Sequence, residues 1–164
     1  PQRFREKLLD WNLQKQYYEE DMKHANDKDV FRWSIFLKET GECIGRLSCH
    51  ERKIEDDSID DPSIRGVGWL IDPKYQGQGY ATEAAKGMID YMFLKCEIKE
   101  IITGAAIVNE PSWRIMEKLG FERLNRTRMV QYTFVDELVE DFEYVLTKQK
   151  YLEFNEDKNI RKNR

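Results

Sequence analysis

Over residues 31–37 apolar side chains occupy alternate positions, Phe31, Trp33, Ile35 and Leu37, the period-two pattern of a strand with one buried face. Glu39-Thr40-Gly41 supplies a turn and residues 43–52 return as a partner strand, which predicts a hairpin. Residues 65–71 (RGVGWLI) form a further, mostly apolar strand stopped by Asp72-Pro73, with Gly66 and Gly68 as the expected place for a bulge. From Ala81 the period changes: Ala81, Ala84, Ala85, Met88, Ile89 and Met92 fall at the i, i+3, i+4, i+7 spacing of a helix with one buried face. Residues 100–107 read as a strand. Residues 109–121 read as a helix with Pro111 in its first turn, a buried face of Ile115, Met116 and Leu119, and Gly120 just past its end. Residues 127–134 and 141–147 alternate as a closing antiparallel hairpin. A broad apolar stripe over residues 3–26 predicts an N-terminal helix, and the charged residues beyond Lys148 a frayed or helical tail.

Chain length adds one constraint. At 164 residues the chain is the size of a single domain, expected over residues 1–147, with residues 148–164 as its tail. It is 40% hydrophobic and 35% charged, with a mean hydropathy of −0.76. No apolar run approaches the ~20 residues that span a bilayer and no signal-peptide pattern precedes the fold, so a cytoplasmic protein without a membrane partner is expected. The net charge of −4 argues against a nucleic-acid partner engaged through a basic face. Cys43, Cys49 and Cys96 are an odd set without a C-x-x-C, and only His24 and His50 could assist them, so free thiols rather than a disulfide frame or metal site are expected. The acidic residues between Glu51 and Asp61 suit a solvated loop, or a rim that attracts a basic substrate. The four tryptophans, Trp11, Trp33, Trp69 and Trp113, suit core or helix packing.

The candidate chemistry begins where the strand pattern gives way to the helix pattern. There the sequence is Gln76, Gly77, Gln78, Gly79, Tyr80, Ala81 and Thr82. Glycine permits backbone paths and close approaches that a Cβ blocks, and the N–H groups that open a helix have no partner of their own. Such a turn is an anion seat. Without a Gly-Lys-Ser/Thr it is not a nucleoside triphosphate loop, and the spacing fits the dinucleotide fingerprint poorly.

Gln76-x-x-Gly79-x-Ala81, set between an apolar strand and an amphipathic helix, closely resembles motif A of the GCN5-related N-acetyltransferases (GNAT). Asn109-Glu-Pro-Ser112 with the helix ending Leu119-Gly-Phe121 resembles the second signature of that family, and residues 32–47 its strand-turn-strand hairpin. The resemblance covers roughly residues 31–147 and is nearest to the branch that includes the ribosomal-protein N-terminal acetyltransferases. It implies an α/β (α+β) fold: a central mixed, mostly antiparallel twisted sheet with helices on both faces. The first strand usual in the family is not visible before the N-terminal helix, so an edge strand is expected to be absent or otherwise supplied. It also implies that residues 65–71 and 100–107 splay apart, so that the pantetheine arm of acetyl-coenzyme A fills the gap like a short strand.

The implied reaction is direct acetyl transfer to a primary amine. The resemblance gives residues 76–82 to the cofactor pyrophosphate, a backbone N–H near Leu70 or Ile71 to the thioester carbonyl, Ser112 to protonation of the thiolate, and Asn109 to orienting the cofactor or a water. Asn109 and Ser112 also flank a helix start, where both residue types are favoured as caps. Members of the branch often carry a glutamate two residues before the glycine that is Gly68 here; this chain has Gly66. An α-amine has a pKa near ~8 against ~10.4 for lysine, so it is easier to neutralise by roughly 3 kcal/mol. A site without a strong base therefore suits a protein or peptide N-terminus. Glu51, His50 or a water chain remain candidate bases. A polyamine or small-molecule amine as acceptor, and an acetyl-coenzyme A-binding module with little catalysis, are the alternatives; the chain is expected to be a monomer or homodimer.

Overall fold

The computed structural model describes Asn12 and residues 31–51, 61–132 and 136–162. The expected N-terminal helix, most of the acidic loop and the end of the expected 127–134 strand lie outside these residues. Six strands form one sheet in the order β1-β2-β3-β4-β6-β5. They are β1 (Phe31–Phe36), β2 (Cys43–Glu51), β3 (Ile64–Ile71), β4 (Glu100–Ala106), β5 (Glu122–Gln131) and β6 (Leu138–Thr147). Every neighbouring pair is antiparallel except β3 and β4. β5 starts earlier than its apolar alternation suggests. It is a polar edge strand, with a register shift between Arg123 and Thr127 that interrupts the pattern.

Among the described residues three helices pack on one face of this sheet: α1 (Tyr80–Lys95), α2 (Glu110–Lys118) and α3 (Lys148–Lys162). Met88, Ile89, Met92 and Phe93 of α1, Met116 of α2 and Tyr151 of α3 join Leu47, Val67, Ile101 and Leu146 of the strands in one buried core. Burying a large apolar side chain in such a core contributes about 1.5–3 kcal/mol, which is why these positions fix the helical and strand periods seen in the sequence. α2 ends as its sequence requires. Gly120 takes φ 88°, with its N–H on Glu117 O and the Phe121 N–H on Met116 O, closing a Schellman motif. α3 is more than an appendage, since Tyr151 is 2% exposed, packs on Phe93 and donates its hydroxyl to Asp90.

One expectation is overturned. Gly66 and Gly68 make no bulge, because the β2–β3 register runs unbroken from Gly45↔Ile71 to Glu51↔Arg65. The glycines serve their neighbours instead: a Cβ on Gly66 would run into the imidazole of His50, and one on Gly68 would lie 2.9 Å from Ser48 Oγ. Their absent side chains make room for those of β2.

Candidate functional site

β3 and β4 pair only at Ile64↔Glu100 and Arg65↔Ile101, then diverge. The sheet therefore contains a V with its apex at Arg65 and its mouth at the C-terminal ends of both strands. A sheet interrupted in this way leaves backbone groups without ladder partners, and each needs another partner or a ligand. Val67 O is met by Thr103 Oγ1 at 2.7 Å, a bond thrown across the narrow end of the gap. Ile71 O is met by Gln76 Nε2 at 2.9 Å. On the opposite edge of β3, Asp72 N–H donates to Ile44 O of the β2 side at 2.8 Å. Strand alternation then turns the N–H and C=O of Trp69 and the N–H of Ile71 into the gap, while Leu70 faces its partner Arg46 in β2. Of the two expected carbonyl-polarising donors, Ile71 is thus the one aimed at the gap. The buried indole Nε1 of Trp69 has no hydrogen-bond partner among the described residues either.

At the mouth, the arm of β3 continues into the glycine turn. Asp72 caps a short 3₁₀ turn (Pro73–Tyr75) by accepting from Lys74 N–H at 2.9 Å. Gln76 ties the turn back to Ile71, and Gly77 and Gly79 then adopt φ 74° and 90°, a backbone that L side chains rarely take. Gly79 is the N-cap of α1 without any side-chain cap bond, and the first closed helical bond is Glu83 N–H to Gly79 O at 3.0 Å. The N–H groups of residues 77–82 accordingly find no backbone acceptor among the described residues. Among the described residues a Cβ built on Gly77 or Gly79 would meet nothing within 4 Å, so the space beside these two glycines is open. This array, at the positive end of a helix, fits a phosphate or pyrophosphate.

The other arm, β4, leads into α2. Asn109 occupies its N-cap position at φ −94°, ψ 62°, yet its side chain makes no cap hydrogen bond. The turn is held by the main chain instead, Asn109 N–H to Ala106 O at 2.7 Å and Ser112 N–H to Asn109 O at 3.0 Å. The capping role open to Asn109 on sequence grounds is therefore not taken up. Asn109 and the half-buried Ser112 stand at the mouth, on the arm opposite residues 76–82.

The two sides of the V differ. The helix side is filled by Val67, Ala105 and the core. The other side is paved by Gly66, Gly68 and Gly104, flanked by His50 and Ser48 of β2 and by Asp141 and Glu143 of β6. Asp141 and Glu143 are 2% and 4% exposed. Such burial needs partners: Tyr132 donates its hydroxyl to Asp141 at 2.8 and 3.0 Å, and Arg126 Nε donates to Glu143 at 2.6 Å. Burial, and then the Asp141 charge, push the Tyr132 hydroxyl well above its ordinary pKa, so it remains a donor. Sequence reasoning missed Thr103, Tyr132, Asp141 and Glu143. The available signal was the acids Asp141 and Glu143 alternating with the apolar or aromatic Phe142 and Tyr144 in β6.

No helix among the described residues is long and apolar enough to cross a membrane, and no group of three metal-ligating side chains occurs among them. Residues 2–122 match the family model of the acetyltransferase (GNAT) domain. Among curated relatives, an uncharacterised N-acetyltransferase, YnaD, of Bacillus subtilis (strain 168) is 40% identical over 57 residues, 35% of this chain and 34% of that protein. The chain spans between about a third and two thirds of the length of the first such relatives. A ribosomal-protein-S5-alanine acetyltransferase from Vibrio fischeri superposes with a TM-score of 0.66 at 18% identity, over 85% of this chain and 73% of that one. A spermidine N-acetyltransferase, SpeG, from Vibrio cholerae gives 0.65 at 20% identity, over 84% and 77%. At such identities the likeness is one of fold.

Proposed function

The chain belongs to the GNAT acetyltransferases, and from that premise we propose that it moves an acetyl group from acetyl-coenzyme A to a primary amine, the α-amine of a protein or peptide N-terminus being the favoured acceptor. The observation that carries this reading is the V between β3 and β4, with the unpartnered N–H groups of residues 77–82 at its mouth. Together they suit a ligand with a pyrophosphate at one end and an amide-bearing arm behind it.

Acetyl-coenzyme A, when bound, supplies an acetyl thioester. Gln76, Gly77, Gln78, Gly79, Tyr80, Ala81 and Thr82 hold its pyrophosphate, and the gap-facing N–H and C=O groups of Trp69 and Ile71 pair with its amides. A backbone N–H of Ile71 directed at the thioester carbonyl stabilises developing negative charge, a contribution of roughly 3 kcal/mol in comparable sites. Ser112 donates the proton that the departing sulfur needs, and Asn109, free of capping duty, orients the cofactor. Asp141 and Glu143 are already engaged by Tyr132 and Arg126, which leaves them poorly placed to take the second ammonium of a polyamine. That supports an α-amine acceptor.

Thiol release from acetyl-coenzyme A over a panel of N-terminal peptides, lysine peptides and spermidine tests the reading. The fastest release is expected with the N-terminal peptides. Thermal denaturation separates the binding step: ligand at ~1,000 times its dissociation constant stabilises by about 4 kcal/mol. No shift at saturation, together with no release from any acceptor, would reject it.

A further inference from the structure

We propose that Arg128 selects the acceptor by binding a carboxylate on its second or third residue, so that acidic N-terminal peptides are the preferred substrates; this rests on the acetyl-transfer reading above. Val67, Thr103 and Ala105 are buried on the helix side of the V, so among the described residues the approach to the thioester is from the glycine side. Counted forward from Arg65↔Ile101, Ala106 of β4 comes level with Leu70, next to the Ile71 N–H assigned to the thioester carbonyl. Ala106 pairs with Asp141 of β6, and Asp141 pairs with Arg128 of β5. Directly opposed residues share a face. That face is the glycine side, because Asp141 Oδ2 lies 3.7 Å from the place a Cβ on Gly104 would take. A row of side chains thus runs outward from the mouth of the V at the level of the reacting bond, and Arg128 ends it.

β6 gives this face two buried acids, and each has its donor: Arg126 on Glu143 and Tyr132 on Asp141. Arg128 is left over. It is half-buried, forms no hydrogen bond or ion pair among the described residues, and its Nε is buried without a partner. Burial and the Asp141 charge raise the Tyr132 hydroxyl, and the Arg128 guanidinium acts against them, so its charge is felt at the inner end of the row. A partly desolvated cation attracts an anion more strongly than a solvated one, and a guanidinium takes a carboxylate through two parallel N–H···O bonds. Distance sets where that carboxylate belongs. β5 lies two strand spacings, roughly 10 Å, beyond β4. An extended peptide advances ~3.3–3.6 Å per residue, so a chain with its α-amine at the thioester crosses above Tyr132 and brings its second or third side chain to Arg128. The carboxylate of a free amino acid falls short.

The test is thiol release with peptide amides identical but for glutamate or glutamine at the second and third positions. Wild type is expected to favour the acidic peptide by ~10–100-fold in kcat/KM, mostly through KM, and the preference is expected to shrink as salt rises from about 0.05 to about 0.5 M. Arg128→Gln is expected to erase the preference, with the rate on the glutamine peptide and the dissociation constant for coenzyme A within about twofold of wild type. Arg128→Glu is expected to reverse it in favour of lysine at the same positions. Wild type that acetylates both peptides alike, or a preference that survives Arg128→Gln, overturns the assignment while leaving acetyl transfer to an α-amine intact. Should the variants fail to fold, wild type alone decides, since a preference for the acidic peptide that is indifferent to salt also overturns it. Thiol release with spermidine or lysine peptides but with no N-terminal peptide removes the underlying reading, and this assignment with it.

Discussion

β3 presents two opposite surfaces from one run of eight residues. Val67 and Trp69 pack into the helix-covered core and Ile71 is buried on the same face, whereas Gly66 and Gly68 floor the other side. The first set pins the strand in place. The second removes side chains from the surface nearest the apex of the V, where His50 and Ser48 of β2 take up the space. The same strand thus contributes stability from one face and access from the other, and substitutions should separate the two.

The largest effect is expected on the core side. Ile71→Ala, at a position 6% exposed, is expected to cost about 2–5 kcal/mol in urea unfolding, because it removes a buried side chain and leaves a cavity. On the glycine side, Gly68→Val meets only the end of the Ser48 side chain at 2.9 Å. It is expected to lower kcat/KM by ~100-fold through displaced acceptor geometry, with little change in unfolding midpoint. If Gly68→Val instead unfolds the protein while sparing turnover, the contrast between the faces is broken.

A smaller effect involves Tyr144, fully buried on the core face of β6, whose hydroxyl bonds Glu117 Oε1 at 3.2 Å. Burial, then the Glu117 charge, push it up to about 12. Its folded-state value lies above the unfolded ~10, so the folded chain holds this proton more tightly. That contribution is whole below pH ~10 and is lost as pH rises toward about 12. Urea midpoints should fall over that window in wild type and less steeply in Tyr144→Phe.

The smallest stability change is expected at Asn109. Because it makes no cap bond, Asn109→Ala should cost under about 0.5 kcal/mol, below the ~1 kcal/mol typical of a lost N-cap, while weakening coenzyme A binding measurably by calorimetry. A full capping loss with unchanged binding would return Asn109 to a structural role.

Much of this arrangement was legible because it is periodic or local. The alternation of β1, the helical spacing of α1, and Gly120 as a C′ residue each state a backbone requirement in adjacent residues. The splay was carried by resemblance, and its pairing at only Ile64↔Glu100 and Arg65↔Ile101 is a long-range relation that no local pattern encodes. The same holds for the role of Gly66 and Gly68. A glycine in a strand signals either a bulge or a close neighbour, and the neighbours, His50 and Ser48, lie across the hairpin. Thr103 gave no signal at all, since a threonine in a strand is ordinary until its hydroxyl is found on Val67 O.

In the proposed function the cofactor arm completes the sheet in the V. Amide hydrogen exchange with and without coenzyme A tests it most directly. Protection is expected to rise at Trp69 and Ile71, whose N–H groups face the gap, and at residues 77–82, with little change at Gly68 and Leu70, which already face β2. Saturating coenzyme A that leaves Trp69 and Ile71 exchanging at their free rates would contradict the account.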